Sequence, residues 1–213
     1  MPASSPRSTR RRRSPASGPP APPSRSKVPV RRAPPAAEAV PFLTIGHSTR
    51  SIEELVSLLR EGGADLVADV RTIPRSRTNP QFNAESLPGR LAADGILYHH
   101  LPKLGGLRGH CKGAPSPNGF WENASFRNYA DYAMTAPFRD GLDALRALAA
   151  QHSCAIMCAE VLWWRCHRRI ITDYLLAAGE PVSHILGPRH IEPATMTRGA
   201  RPQAGGTVLY PPQ

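Results

Sequence analysis

Phe42-Leu43-Thr44-Ile45-Gly46-His47-Ser48-Thr49-Arg50-Ser51-Ile52-Glu53-Glu54-Leu55-Val56 contains a strand, a polar loop and a helix start in fifteen residues. The apolar run Phe42 to Ile45, closed by Gly46, has the length and composition of a buried strand. Ser51 with Glu54 three residues on forms a capping box, the signature of a helix amino terminus. Ile52, Leu55, Val56 and Leu59 then recur on one face, and Gly62-Gly63 ends the helix.

The same alternation continues along the chain. Leu66 to Val70 reads as a second buried strand, followed by the polar stretch Arg71 to Gln81. A short helix around Ala84 to Asp94 leads to a third strand, Ile96 to Leu101, and residues 102–124 are irregular. Two helices follow, from about Ser125 to Met134 and from about Pro137, a favoured first-turn residue. Cys154 to Cys158 is a fourth strand, Leu162 to Ala178 an amphipathic helix, and Val182 to Leu186 a fifth strand. Strands alternating with helices imply an α/β fold, a three-layer α/β/α arrangement on a mostly parallel sheet of about five strands. The α/β domain is expected over residues 41–188, with an irregular tail over 189–213.

Composition separates the beginning of the chain from the rest. Residues 1–40 hold ten prolines and nine Arg or Lys against the single acid Glu38, so they carry +8 of the chain's +11. With only Val28, Val30 and Val40 as larger apolar side chains, they cannot offset the entropy of ordering and are expected to be a disordered basic leader. Residues 7–32 would contact polyanions weakly, without specificity and with strong salt dependence. The pI of 10.4 is therefore a property of the leader and not a sign of a nucleic-acid-binding domain. No stretch approaches the ~20 apolar residues of a membrane span, and no apolar h-region follows the arginines. Cysteines 111, 154, 158 and 166 are few for the length, which suits free thiols in a reducing, cytoplasmic setting.

Ligands of open parallel sheets bind beyond the carboxyl ends of the strands. After the first strand come His47, Ser48 and Arg50. Asp69 closes the second, with Arg71, Arg75 and Arg77 behind it, and the third leads to Gly105-Gly106 and Arg108. The fourth ends on Cys158 and is followed by Glu160, Cys166, His167 and Arg168. The loops of the opposite edge read as plain turns, so this sequence pattern places a site on one rim.

Thr44-Ile45-Gly46-His47-Ser48, Asp69-Val70-Arg71 with Pro74 and Ser76-Arg77, Leu104-Gly105-Gly106, and Met157-Cys158-Ala159-Glu160 with Cys166-His167-Arg168 together resemble the signature of DUF488, a domain of unknown function. The resemblance covers roughly residues 42–187 and implies an α/β fold with a shared site built from these motifs. It brings no established activity. Val161-Leu162-Trp163-Trp164-Arg165 departs from the more polar, proline-containing linker expected there and suggests an aromatic wall beside the site.

Each candidate has a bland and a functional reading. Cys158 is either a packed strand residue or a nucleophile whose thiol is acidified by a helix amino terminus and arginines; Cys154 reads as structural. Glu160, His47 and His167 are loop caps or proton carriers. Ser48 stands just ahead of a helix amino terminus, where backbone N–H groups favour an anion. Arg71, Arg75, Arg77 and Arg168 offer forks for phosphate or carboxylate, unless they serve only to lock loops. Asp69 orients Arg71 or His47. Tyr98, Phe120, Trp121, Trp163 and Trp164 are core residues or stack on a base. Cys158-Ala159-Glu160 mimics a zinc deaminase motif but lacks its downstream Cys-x-x-Cys. A cysteine-phosphatase or rhodanese loop would need an arginine at 164, where Trp stands. Cys158, Cys166, His167 and His47 are soft metal ligands, yet Cys166 and His167, as adjacent residues of a helix, would point about 100° apart. No metal is therefore assigned, and the residues specify no cofactor. The leading expectation is an enzyme acting on a small anionic, phosphorylated or nucleotide-like ligand. The alternatives are a ligand-sensing or nucleic-acid-binding module without turnover, and a metal-binding protein.

Overall fold

In the computed structural model, which describes residues 42–110 and 115–213, the first element is the strand β1, Phe42–Gly46, buried along its whole length. The basic leader, its polyanion contact through residues 7–32, and Cys111 lie outside the described residues. Helix α1 (Ile52–Glu61) starts on the expected capping box: Ser51 Oγ accepts from the Glu54 N–H and Glu54 Oε2 from the Ser51 N–H. The order continues with β2 (Leu66–Asp69), α2 (Leu87–Ala92), β3 (Leu97–His100), α3 (Ala124–Ala133), α4 (Ala136–Ala149), β4 (Cys154–Cys158), α5 (Arg168–Ala177) and β5 (Val182–Gly187).

These five strands form the parallel part of a sheet of order β3-β2-β4-β1-β5. Side-chain alternation sends Leu66, Ala68, Ile156 and Cys158 to a core shared with α3, α4 and α5. Leu43, Ile45, Val67, Ala155 and Met157 face the opposite core, built with α1 and α2. Helices on both faces of a largely parallel sheet make the α/β/α sandwich that the sequence pattern implies.

Two segments differ from expectation. The sheet gains a sixth strand, β6 (His190–Pro193), antiparallel to β5, and residues after it form the short pair β7 (Arg201–Pro202) and β8 (Val208–Leu209). The expected irregular tail is held in place. Tyr210 is fully buried, donates its hydroxyl to buried Asp173 at 2.9 Å, and donates its backbone N–H to Asn118 Oδ1 at 2.9 Å. Ala200, Val208 and Tyr210 join the core with no helical or strand period between them, so no apolar face marks the segment.

The second difference is the helix after β4. Only Arg168–Ala177 is α-helical; Trp163–Arg165 is a single 3-10 turn, and Cys166 between them is extended at φ −125° and ψ 147°. The sheet ladder runs on past the strands here, with His47 N–H donating to Cys158 and Ser48 N–H to Ala159. That keeps the chain extended at the point where a helix would otherwise begin. Gly46 permits the crossing, since a Cβ there would fall 2.1 Å from the Glu160 carbonyl oxygen.

Candidate functional site

Because β4 lies between β1 and β2, the loops after all three strands meet at one rim, with Gly46 level with Cys158 and Asp69 level with Met157. A cleft of about 520 Å³ opens there, lined by His47, Ser48, Arg71, Thr72, Arg75, Gly106, Cys158, Glu160 and His167 among others. A smaller depression of about 170 Å³ shares Gly106, Cys158, Glu160 and His167 and adds Cys166, Tyr129 and Phe126. Asp69 and Arg168 lie buried behind the walls. Gly105 sits against Thr72 outside the cleft, and Arg77 is exposed and does not line it.

One wall is a closed polar network. Asp69, wholly buried, takes Arg71 Nη2 at 2.5 Å and Nε at 2.9 Å, and Tyr98 donates its hydroxyl at 2.8 Å. Arg71 also donates to the Phe82 carbonyl at 2.7 Å and to His47 Nε2 at 3.2 Å. The Ser48 carbonyl at 2.9 Å requires the hydrogen of His47 on Nδ1. Both ring nitrogens are thus engaged, and burial, aided by the nearby guanidinium of Arg71, lowers its pKa to about 4. His47 is also stacked on Phe82 at 4.1 Å, so its ring is held on every side.

The expected anion seat at the helix amino terminus is partly occupied by the chain's own groups. Ser48, at φ 48°, gives its N–H to the Ala159 carbonyl, and the capping box takes the Ser51 and Glu54 N–H groups at the start of α1. Glu53 and Glu54 add negative charge at that turn.

The other wall is built of sulfur. His167 Nε2–H donates to the Val70 carbonyl at 3.0 Å, so its Nδ1 lone pair faces Cys166 Sγ at 3.6 Å and Cys158 Sγ at 3.9 Å. Arg168, 1% exposed, donates through Nε to Cys166 Sγ at 3.3 Å and through Nη2 to the Glu160 and Val161 carbonyls. A buried guanidinium needs a counter-charge, and among its described partners only the Cys166 sulfur can supply one. Against the burial that would raise it, the Cys158 S–H and then the charge of Arg168 hold the Cys166 thiol well below its ordinary range. The hydrogen bond to Cys166, together with burial, pushes the Cys158 thiol well up. Of the two sulfurs, Cys166, which takes the Arg168 N–H, is the one held down, and Cys158 at the strand end is the one pushed up.

Glu160 is exposed at the mouth, and it is its main-chain carbonyl that holds Arg168. Cys154 is buried at the far end of β4, as a structural cysteine would be. The expected aromatic wall does not face the cleft: Trp163 stacks on His184 at 4.3 Å, and Trp164 lies at the surface. Phe120 and Trp121 belong to the helical core. Residues not singled out in the sequence also contribute. Thr72 Oγ1 accepts the Leu107 N–H at 3.0 Å, and the Tyr129 ring sits edge-on to His167 at 5.1 Å. Tyr129 reads in the sequence as one more apolar helix position, so nothing there marks it.

Fold and site together define an α/β protein with a polar cleft at a topological switch point of its sheet. A family model described as "Domain of unknown function DUF488" matches residues 51–175, more than half of the chain. The chain belongs to the DUF488 family. No curated protein and no solved structure matches it. No helix among the described residues is long and apolar enough to cross a membrane.

Proposed function

We propose that this DUF488 chain is an enzyme that takes a small anionic substrate, phosphorylated or nucleotide-like, in the cleft beyond β1, β2 and β4. The observation that carries this is the meeting of an exposed carboxylate, Glu160, with the Cys158–Cys166–His167 cluster on one wall of a cleft of about 520 Å³. A cleft of this size suits a small molecule, not a macromolecular surface. The lining favours negative charge: Arg71 and Arg75 line the cleft and Arg165 the depression beside it, while the carboxylate lining both is Glu160, and buried Asp69 is already paired with Arg71.

The roles follow from which groups remain uncommitted. Arg75 on the rim, side chain 72% exposed and bound only to exposed Glu85, is the guanidinium free to swing onto a ligand. Glu160 has the position of a proton carrier at the mouth. His47, Asp69 and Arg71 fix the loops and the shape of the floor.

The test is direct. Inorganic phosphate and nucleoside monophosphates are titrated against the full chain, and turnover of phosphorylated compounds is screened in parallel. Glu160→Gln is expected to keep ligand affinity within a factor of a few and to lose product formation by roughly 100-fold or more. Binding in the cleft with no turnover in any screen would make the chain a binding module; no binding of either probe would refute the anionic substrate class.

A further inference from the structure

Cys158, Cys166 and His167 come from two segments, the end of β4 and the turn entering α5, yet their ligating atoms all lie within 4.8 Å of one another. We propose that these three side chains form a binding site for a thiophilic divalent cation of the zinc class, with the remaining coordination position facing the cleft. This deepens the reading of the cleft as a reactive site, and it can fail separately from it.

Three features support the site. The spacing fits: zinc–sulfur bonds of about 2.3 Å and zinc–nitrogen bonds of about 2.0 Å at tetrahedral angles separate sulfur from nitrogen by about 3.5 Å. Here the two sulfur-to-Nδ1 distances are 3.6 and 3.9 Å, a few tenths of an ångström from that value, and all three ligating atoms lie within 4.8 Å of one another, so the two sulfurs need move together by no more than about 1 Å. The expected 100° divergence of residues 166 and 167 does not apply, because Cys166 is extended and only His167 has helical backbone angles.

Outer-sphere contacts are also in place. Metal-bound histidines characteristically give their second ring N–H to a carbonyl or carboxylate, which fixes the tautomer and aims the lone pair. The Val70 carbonyl does this for His167 at 3.0 Å. Arg168 Nε–H donates to the Cys166 sulfur at 3.3 Å, the kind of contact that stabilises a ligating thiolate.

Gly106 completes the arrangement. A Cβ there would fall 2.4 Å from His167 Nδ1 and 2.7 and 2.9 Å from Cγ and Cε1, which places it over the ring face rather than in line with the lone pair. Only a glycine lets the loop cover the imidazole this closely while the in-plane direction toward the sulfurs stays clear. Two cysteines and one histidine are a ligand set that, in zinc enzymes, leaves one position for water or substrate. Cys158, His167 and Glu160 line both depressions, so a ligand in the cleft would reach that position. The cation would add positive charge to the cleft, in keeping with an anionic substrate.

The full chain, prepared without an affinity tag and stripped with a chelator, is titrated with cobalt(II) alone. The site predicts one cobalt per chain, with sulfur-to-cobalt charge-transfer absorption and the intense visible bands of tetrahedral coordination, both lost on adding zinc(II). Cys166→Ser and His167→Gln should weaken cobalt affinity by more than the roughly 10–100-fold typical of losing an outer-sphere partner. Cys154→Ser should leave it unchanged. Should the ligand variants fail to fold, the wild type still decides: zinc(II) must protect Cys158 and Cys166 from alkylation, mapped by mass. Absence of charge-transfer bands in the folded wild type, or protection only at other cysteines, overturns the site. Phosphate binding and turnover without metal would overturn the metal site and leave the proposed function standing; a loaded protein that neither binds phosphate nor turns over would do the reverse.

Discussion

The two walls of the cleft are made from similar polar material and are wired differently. On the Asp69–Arg71 side every strong donor and acceptor is consumed internally: Asp69 by Arg71 and Tyr98, Arg71 by Phe82 and His47, His47 by Ser48. On the Cys158–Cys166 side a buried guanidinium leans on a sulfur, and an imidazole lone pair points at two thiols with no better partner. The comparison teaches that a polar residue at a site is not thereby reactive. A satisfied network holds shape, and chemistry is found where a lone pair or a charge remains to be used.

The largest expected effect comes from opening the closed wall. Asp69→Asn leaves the Arg71 guanidinium buried without its counter-charge and should lower stability by about 3–5 kcal/mol, read as a shifted urea midpoint at constant slope. A loss within the ~0–1 kcal/mol of a surface pair would show that this network does not hold the wall. The sulfur wall is probed by Arg168→Lys. One ammonium cannot reproduce the planar fork that serves Cys166 and the carbonyls of residues 160 and 161. A loss of about 1.5–3 kcal/mol is expected, and an unchanged midpoint would mean that the fork is replaceable.

Behind the sulfur wall, His184 accepts or donates at Thr44 Oγ1, 2.7 Å away, while its Nε2 has no partner among the described residues. Burial first, then the charge of Arg168, lowers its pKa from 6.5 to about 4, with Glu192 acting weakly in the opposite direction. The unfolded chain therefore takes up a proton below pH ~6.5 that the folded chain refuses until about pH 4. The resulting stabilisation is whole above pH 6.5 and is lost as pH falls between these values, by at most ~1.4 kcal/mol per unit. Unfolding midpoints measured across that range should fall less steeply in His184→Gln; identical slopes would remove His184 from the acid response.

The smallest effects separate the rim arginines. Arg75→Ala and Arg77→Ala should each stay within about 0.5 kcal/mol of wild-type stability, because both side chains are exposed. Only Arg75→Ala should weaken phosphate binding, since Arg77 does not line the cleft. Equal loss in both variants would point to a diffuse field around the rim in place of a specific contact.

Much of the framework was legible residue by residue. Ser51 and Glu54 mark the start of α1, and the apolar run Cys154 to Cys158 marks β4 to the residue. Gly46, Asp69, Cys158 and their following loops fall on one rim because parallel strands all end on the same side. Tyr210 was not legible, since one buried aromatic in a segment without period gives no pattern to read. The break at Cys166 was equally hidden, because the residues from 162 to 178 satisfy helical periodicity, whereas the Gly46–Glu160 crossing that prevents the helix involves two segments more than a hundred residues apart.

Local sequence determined the five parallel strands and the helices α1 to α4 between them, because capping, periodicity and chain direction are short-range properties. The tertiary structure alone decided that both ring nitrogens of His47 are engaged, that the Arg168 guanidinium meets the Cys166 sulfur, and that two sulfurs and one imidazole nitrogen converge. Those outcomes depend on which partner each polar group meets, and in a parallel sheet the partners arrive from distant strands.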